Sequence, residues 1–441
     1  MSEMIEDGRN AAEQHGSGLV ISIFVLALLS VMGIALLFVA QVDLKGGKYD
    51  LDSKRAFYLA EAGLQRGREQ LRLNNIASGT LGLDDELAAA AGGDVTMDFD
   101  ATTVRPVYDS NGKVTSFTGF NDDVPLIPLA QLGDGWYSSY LTNDPAEGAG
   151  TLTDGNMKLT ITSIAAMRDG SSELLETIVL RPDEVVPPFP ASITLLGPTP
   201  VFDGGEAAAK NLTGNDCGGF GIPGLSVPVV GTIGTDEEAD AELGVKKPWT
   251  FTSGPYTGVD TVEDLQSTID SRWQQCMYLT ELAFKLRDVA DVLGDSSTPT
   301  SLFGTPGDEK IVFIDGDVAL GNGYVGAGFL FVTGTLRFHG TPQWYGPVVL
   351  IGKGEFIRSG GGNSILSGAA ILADVAGPDR QIFTSDDCSG PDGVLGTSDD
   401  GYESVYWEVQ GAGVHDVQYC VADIEAAFLR MPFFARDFRQ R

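Results

Sequence analysis

LVISIFVLALLSVMGIALLFVA, Leu19 to Ala40, is twenty-two residues without a charge, and it decides the reading of this chain. A helix needs about 20 apolar residues to cross the hydrocarbon core of a bilayer. A secretory signal peptide has a shorter apolar stretch, about 7–15 residues, followed by a small-residue cleavage site. Here Gln41, Val42, Asp43 and Leu44 follow, without that pattern. The segment therefore reads as a retained membrane helix with nearly the whole chain after it exported. A core helix of a soluble protein is seldom apolar all round for so long.

The flanks narrow the reading. A short polar leader ends Gln14-His15-Gly16-Ser17-Gly18, and the apolar run is followed by Ser53-Lys54-Arg55-Ala56-Phe57-Tyr58-Leu59-Ala60-Glu61-Ala62-Gly63-Leu64. This arrangement resembles type IV pilins, in particular minor pilins of the PilX type, over residues 16–73. In that family a prepilin peptidase cuts after the leader glycine, which maps onto Gly16, so the mature chain would begin at Ser17. Major pilins carry Glu at mature position five, where this chain has Ile21. PilX-like proteins and capping pseudopilins share that departure, which favours a minor or tip subunit over a repeating shaft subunit. The resemblance implies a leader over 1–16 and a long helix over 17–73 whose transmembrane part is 19–40. It also implies packing of that helix on an antiparallel sheet, and other pilins or pseudopilins as partners in the bacterial inner membrane and then on the cell surface.

Ala56, Leu59, Ala60, Gly63, Leu64, Gly67 and Leu71 recur at three- and four-residue spacing and so share one helix face. Their small side chains allow a second backbone to approach closely. The stripe reads as an assembly face for neighbouring helices; packing on the protein's own sheet explains the same pattern. Gly46-Gly47 marks a bend, because each glycine costs about 1 kcal/mol relative to Ala inside a helix.

Residues 1–73 hold 8 Lys and Arg against 9 Asp and Glu, so nearly all of the net charge of −33 lies beyond them. Such an acidic body repels nucleic acid and anionic head groups. It favours solubility, cations or a basic partner. Cys217, Cys276, Cys388 and Cys420 form no CxxC pair, so zinc spacing is absent. Four cysteines in an exported chain suggest disulfides. Local loop closure favours Cys217–Cys276 with Cys388–Cys420; free buried thiols are the alternative.

The fold expected is α+β: a long pilin-like transmembrane helix packed on an antiparallel sheet, then a mainly-β, solenoid-like domain with one inserted helix. Residues 74–182 read as the sheet, with strand character at Gly135–Leu141, Met157–Ile164 and Glu173–Leu180, and an Asp169-Gly170 hairpin turn. The four prolines of Arg181–Pro190 mark a linker over 183–190 and argue against regular helix there. Residues 191–441 are Gly-rich and contain a repeat of about 20 residues: Val312–Leu320, Leu330–Phe338, and a looser Val349–Ile357. Two short strands around a turn suit a β-solenoid rung, with Ser192–Leu196 supplying an early one. A β-sandwich of short strands is the competitor. An apolar stripe over 262–293, opened by Thr261 and Asp264 and closed by Gly294, predicts the inserted helix. A second helix is expected from Asp423 into Phe428, ahead of a tail carrying Arg430, Arg436, Arg439 and Arg441.

The loop 384–401 sets Asp386, Asp387, Asp392, Asp399 and Asp400 among glycines. Calcium takes 6–8 oxygen ligands of this kind, but the spacing is not that of an EF-hand; a solvated acidic turn is the alternative. No nucleophile, metalloprotease or phosphate-loop motif is present, and Asp315 and Asp317, two apart on a turn, read as structural. The expectation is a non-enzymatic tip or priming pilin-like subunit without a required cofactor. The alternatives are a capping pseudopilin of a type II secretion system, and a membrane-anchored solenoid that binds or cleaves polysaccharide.

Overall fold

The computed structural model describes residues 3–79, 82–120, 122–205, 210–217, 226–245, 261–397, 400–411 and 413–440, with side chains from residue 18 onward apart from Lys210. Helix α1 (Glu3–Ser78) is continuous through Gly46 and Gly47, where the sequence suggested a bend. A Cβ at either glycine would meet nothing within 4 Å. No neighbour forces a kink there, and propagation from the turns on both sides carries the helix through.

After α1 come α2 (Asp84–Ala90) and a ribbon of β1 (Arg105–Tyr108) antiparallel to β2 (Val114–Thr118). Four strands then form an antiparallel meander: β3 (Ile127–Leu132), β4 (Gly135–Asn143), β5 (Lys158–Met167) and β6 (Ser172–Leu180). Along β5, Leu159, Ile161 and Ala165 pack toward α1, while Ile164 and Ala166 join Trp136, Tyr140 and Phe117 on the other face. Gly170, at φ +94°, turns the β5–β6 hairpin. The last strand of the chain, β24 (Phe434–Gln440), pairs antiparallel with β6 as a fifth strand. This sheet is therefore not confined to 74–182: its edge comes from the tail of the segment assigned to 191–441.

The Pro-rich stretch contains one helical turn, α3 (Pro182–Val185), contrary to expectation. Pro182 stands at the first helical position, where its missing N–H costs nothing. The stretch is packed rather than free: Val185, Val186 and Phe189 are buried, and Trp273 Nε1 donates to Pro188 O at 2.9 Å.

The remaining strands coil through three sheets in which every pairing is parallel. One coil runs β18 (Val348–Gly352), β19 (Glu355–Ser359), β20 (Ser364–Gly368). Its strands pair with β21 (Ala370–Asp374), β22 (Tyr406–Val409) and β23 (His415–Tyr419) of the next. On its other side lie β15 (Val325–Val332), β16 (Thr335–His339) and β17 (Gln343–Tyr345). Beyond these are β13 (Lys310–Asp315), β14 (Val318–Leu320) and, at the end, β12 (Val292–Asp295). Each turn thus has three strands, not the two expected from the repeat. The register is also corrected by one residue: Leu330 pairs with Val348, while Leu336 pairs with Phe356. Two extra residues lie in the corner that contains Gly352-Lys353-Gly354, where both glycines have positive φ.

The stack is not built in chain order. The chain enters mid-stack with β7 (Ile193–Leu196), β8 (Val201–Asp203) and β9 (Lys210–Thr213), then continues outward through β10 (Val230–Thr232), α4 (Thr235–Leu243) and β11 (Val262–Asp264). It crosses to the opposite end by a 3-10 turn (Ser271–Gln274) and α5 (Cys276–Val289), then coils back until β21 lies beside β7, with Ala370 opposite Ile193. The helix expected over 262–293 is therefore only its middle part. Val262–Asp264 is a strand, the Asp264 carboxylate accepts the amides of Gly234 and Gln266, and Gly294 lies in β12.

The sheet that holds β13, β15, β18, β21 and β7 is buried on both faces. Inside, Val312, Ile314, Leu330, Val332 and Leu350 meet Phe338, Phe356 and Trp407. Outside, Phe313, Phe331, Val349 and Ile351 meet Leu279, Leu282 and Leu286 of α5 and Phe428 of α6 (Val421–Arg430). Double burial explains why these strands read as continuous apolar runs rather than alternating ones.

The disulfides are Cys217–Cys420 and Cys276–Cys388, not the local pairs. The local-loop argument fails because β21 returns to β7 and brings distant segments together. Non-reducing peptide mapping should recover these two linked pairs and no Cys217–Cys276 peptide. Replacing Cys276 and Cys388 by Ser should lower stability by about 2–5 kcal/mol, read as an earlier urea midpoint.

Candidate functional site

Residues 18–51 of α1 are exposed all round. At about 1.5 Å per residue, this free segment reaches roughly 50 Å from the body, and its uncharged part, 19–40, roughly matches a hydrocarbon core. None of the most apolar stretch is buried inside the protein, so it is not a core helix. Gly16 and Ser17, the positions at which cleavage is expected, lie on the same continuous helix. An N-terminal apolar helix and a mostly-β remainder of this kind fit a pilin.

The small-residue stripe lies elsewhere than an assembly face requires. Ala56, Leu59, Ala60, Leu64 and Leu71 are buried against Tyr137, Leu141, Leu159, Ile161 and Val179 of the chain's own sheet. A Cβ on Gly63 would stand 2.1 Å from Ser163 Oγ, and one on Gly67 3.1 Å from Ile161. Ser139 Oγ donates to Gly63 O at 2.8 Å, so the sheet touches the helix backbone itself. The stripe's small residues are explained by this intramolecular approach. On the same stretch of helix, Tyr58, Gln65, Arg66, Glu69 and Leu73 remain exposed toward solvent.

Sequence reasoning missed Arg68. Its Nε donates to Phe433 O at 2.9 Å, which ties α1 to the start of β24; burial lowers its pKa from the ordinary value. No motif marks it, since its partner is a carbonyl at the far end of the chain. Of the tail arginines, Arg430 pairs with Glu309 at 3.2 Å, Arg436 and Arg439 are exposed on β24, and Arg441 lies outside the described residues.

The acidic loop 384–401 spends its carboxylates on itself. Asp386 accepts Thr384 Oγ1 at 2.7 Å, Asp387 accepts the Phe383 amide at 2.8 Å, Asp392 accepts the Val394 amide and Asp400 the Gly396 amide. Asp399 lies outside the described residues. Among the described residues, the carboxylates and thiols with the spacing of a metal site are Asp94, Asp98 and Asp122, and separately Asp216 with the disulfide pair Cys217 and Cys420; the loop contributes to neither.

A charged cluster occupies the corner between the β21 and β22 sheets. Arg380 Nη1 is 2.6 Å from Asp374 Oδ2, and its other nitrogen is 3.2 Å from Glu355. Asp374 is fully buried, and that burial pushes its carboxyl up to about 6 against the pull of Arg380. Asp315 accepts Thr333 Oγ1, and Asp317 accepts the Thr335 amide and Lys353 Nζ, so both join successive coils.

No protein-family model and no curated protein matches the chain. Among solved structures it is similar to the competence-associated pilin ComZ from Thermus thermophilus, with 13% identity over 88% of this chain and 97% of that one. The TM-score is 0.18, too low to support a comparison of folds.

Gly63→Leu should force α1 off the sheet and cost about 1–3 kcal/mol, whereas Gly46→Ala should be neutral or stabilising by up to about 1 kcal/mol; urea unfolding in detergent separates the two. Because the folded pKa of Asp374 lies above its unfolded value, the native state binds the extra proton between them. Its contribution to stability is complete below the unfolded value and is lost as pH rises through about 6. Between pH 7 and about pH 4.5, wild type should therefore gain roughly 2 kcal/mol relative to Asp374→Asn.

Proposed function

We propose that this chain is a pilin-like subunit of the PilX type: a minor, tip or priming component of a type IV pilus that works by assembly rather than by catalysis. The observation that carries the reading is the exposed helical segment 18–51 with its uncharged stretch 19–40, continuous with a helix that is seated on its own antiparallel sheet. In this reading prepilin peptidase cuts between Gly16 and Ser17, and residues 19–40 hold the subunit in the bacterial inner membrane as a single pass with the remainder exported. After extraction, the same apolar surface packs among the helices of neighbouring pilins. Since the Ala56–Leu71 stripe is occupied within the subunit, contacts beyond the membrane segment fall to the outward ridge of Tyr58, Gln65, Glu69 and Leu73. The coiled β-domain, read as an acidic β-solenoid, stands outside the helical shaft and is presented for assembly or for contact with a surface or polysaccharide. Its bulk suits a tip better than a repeating position.

N-terminal sequencing of the protein, expressed with and without a prepilin peptidase, tests this together with its recovery in sheared filaments. The expected result is a Ser17 start that depends on the peptidase, and presence in the filament fraction. A Met1 start in both backgrounds, with none in sheared material, overturns it. Processing together with retention in a secretion complex transfers the assignment to a capping pseudopilin, the position for which Ile21 in place of Glu is equally suited.

A further inference from the structure

The coil leaves one sheet face half-exposed beside α6. In the sheet formed by β17, β20, β23 and the start of β15, Trp344, Leu366 and Val417 fill the coil. Side chains alternate along a strand, so their neighbours point outward. The register sets these in two rows across the strands: Gln343, Ile365 and Asp416 in one, Tyr345, Ser367 and Gln418 in the other. At about 4.8 Å per strand, each row repeats along the length of the coil. Helix α6 walls the second row on one side, where Ser367 Oγ donates to Asp423 Oδ2 at 2.5 Å. Gln343, Tyr345, Asp416 and Gln418 are half-buried.

At the β15 end this groove deepens into a cavity of about 400 Å³. Small-ligand sites run from about 300 to 1,000 Å³. Val325, Ala327 and Ala426 supply its apolar surface, Tyr345 an aromatic ring, and Glu309 and Asp423 its carboxylates. The polar groups are set in place by the protein. Tyr345 Oη donates to Gln343 Oε1 at 2.9 Å, and Glu309 is held by Arg430 at 3.2 Å and by the Gly307 amide at 2.6 Å. Ser367 occupies only Oδ2 of Asp423; among the described residues no donor meets Oδ1. Burial, with Glu309 nearby, raises the Asp423 pKa.

Each part of this lining disfavours a class of ligand. Among the described residues no lysine or arginine lines the cavity, so an anion meets two carboxylates and no counter-charge. Arg430 already balances Glu309, which weakens the pull on a cation. A purely apolar ligand would bury the carboxylates at a cost. Strand β17 is bonded on both sides, to β15 and β20, so the floor offers a peptide no unpaired strand edge. A ligand with apolar C–H faces and many neutral hydroxyl donors satisfies every part. We propose that this groove binds a neutral polysaccharide, with one sugar ring against Tyr345, Val325 and Ala327 in the cavity and a hydroxyl donated to Asp423. Further units of the chain follow the two rows and bond to Asp416 and Gln418. The inference rests on the reading of the β-domain as presented for surface contact, and gives that reading a site and a ligand class.

The test is affinity electrophoresis of the full chain in nonionic detergent, through native gels cast with dextran, laminarin, galactomannan or amylopectin. Polygalacturonate and chitosan serve as the anionic and cationic comparisons. Wild type should be retarded by at least one of the neutral polymers and not by polygalacturonate. In the retarding gel, Asp423→Asn should weaken the apparent affinity about tenfold, the worth of a hydrogen bond to a charged group. Tyr345→Ala should weaken it by a similar factor through loss of the ring face. Asn keeps an acceptor for Ser367, and an unchanged circular dichroism spectrum verifies the fold of each variant. Asp392→Asn, on the exposed part of the 384–401 loop, should migrate as wild type. No retardation by any neutral polymer, retardation by polygalacturonate or chitosan alone, or wild-type affinity in either groove variant overturns the proposal. N-terminal processing and recovery in filaments do not depend on these outcomes, so failure here is distinct from failure of the pilin reading.

Discussion

The pairing of β21 with β7 is the contact on which the β-domain depends. It joins the first strand of the domain to one that arrives after four coils have been laid down, with Ala370 to Ala373 set against Ile193 to Leu196. Without it and the β22–β8 and β23–β9 pairings beside it, the molecule would be two short stacks, each with an open sheet edge and a bare apolar interior. With it, eight parallel strands run through one sheet whose inner face fills the coil and whose outer face receives α5 and α6. The disulfides reinforce this closure. One ties the start of α5 to the loop after β21, and the other ties the segment after β9 to the residue before α6. Contacts so distant in sequence are slow to form, and covalent links that enclose long loops limit the entropy of the open state.

A second closure works at smaller scale between α1 and the antiparallel sheet. Helix and sheet approach closely because Gly63 and Ala60 present almost no side chain and because Ser139 bonds to the helix backbone. The far edge of that sheet is β24, and Arg68 holds its entry to the helix. The β-domain is thus an insertion between β6 and β24 rather than an appendage, and buried Pro182, Pro187 and Phe189 of the segment around α3 make one edge of the join.

What the sequence discloses follows from how local each feature is. Residues 19–40 are legible as a long apolar helix because so long an uncharged run is itself the signal. The runs VFI, LFV and VLI are legible as strands because burial on both faces leaves them without polar residues. Their order in space is not, because parallel neighbours can come from anywhere in the chain and nothing in Ile193–Leu196 names Ala370–Ala373 as its partner. The cysteine pairing fails for the same reason. β24 escapes notice because only Phe434 of its seven residues is buried. The stripe of Ala56 to Leu71 is read correctly as a close-packing surface, but small residues do not say whose backbone approaches. The loop 384–401 is conspicuous in sequence, yet Asp386, Asp387, Asp392 and Asp400 cap local turns; the carboxylates that converge in space come from two separate loops.

The position of β24 has a consequence for synthesis. The strand that completes the antiparallel sheet leaves the ribosome only after the whole coiled domain has been made. The helix α1 must therefore wait beside a sheet with an unfilled edge while some 250 residues emerge and fold in between, at roughly 5–20 residues per second. A chain cut short anywhere in the β-domain keeps its apolar N-terminal helix but never closes that sheet. Completion of the subunit's neck is in effect a record that its head was finished.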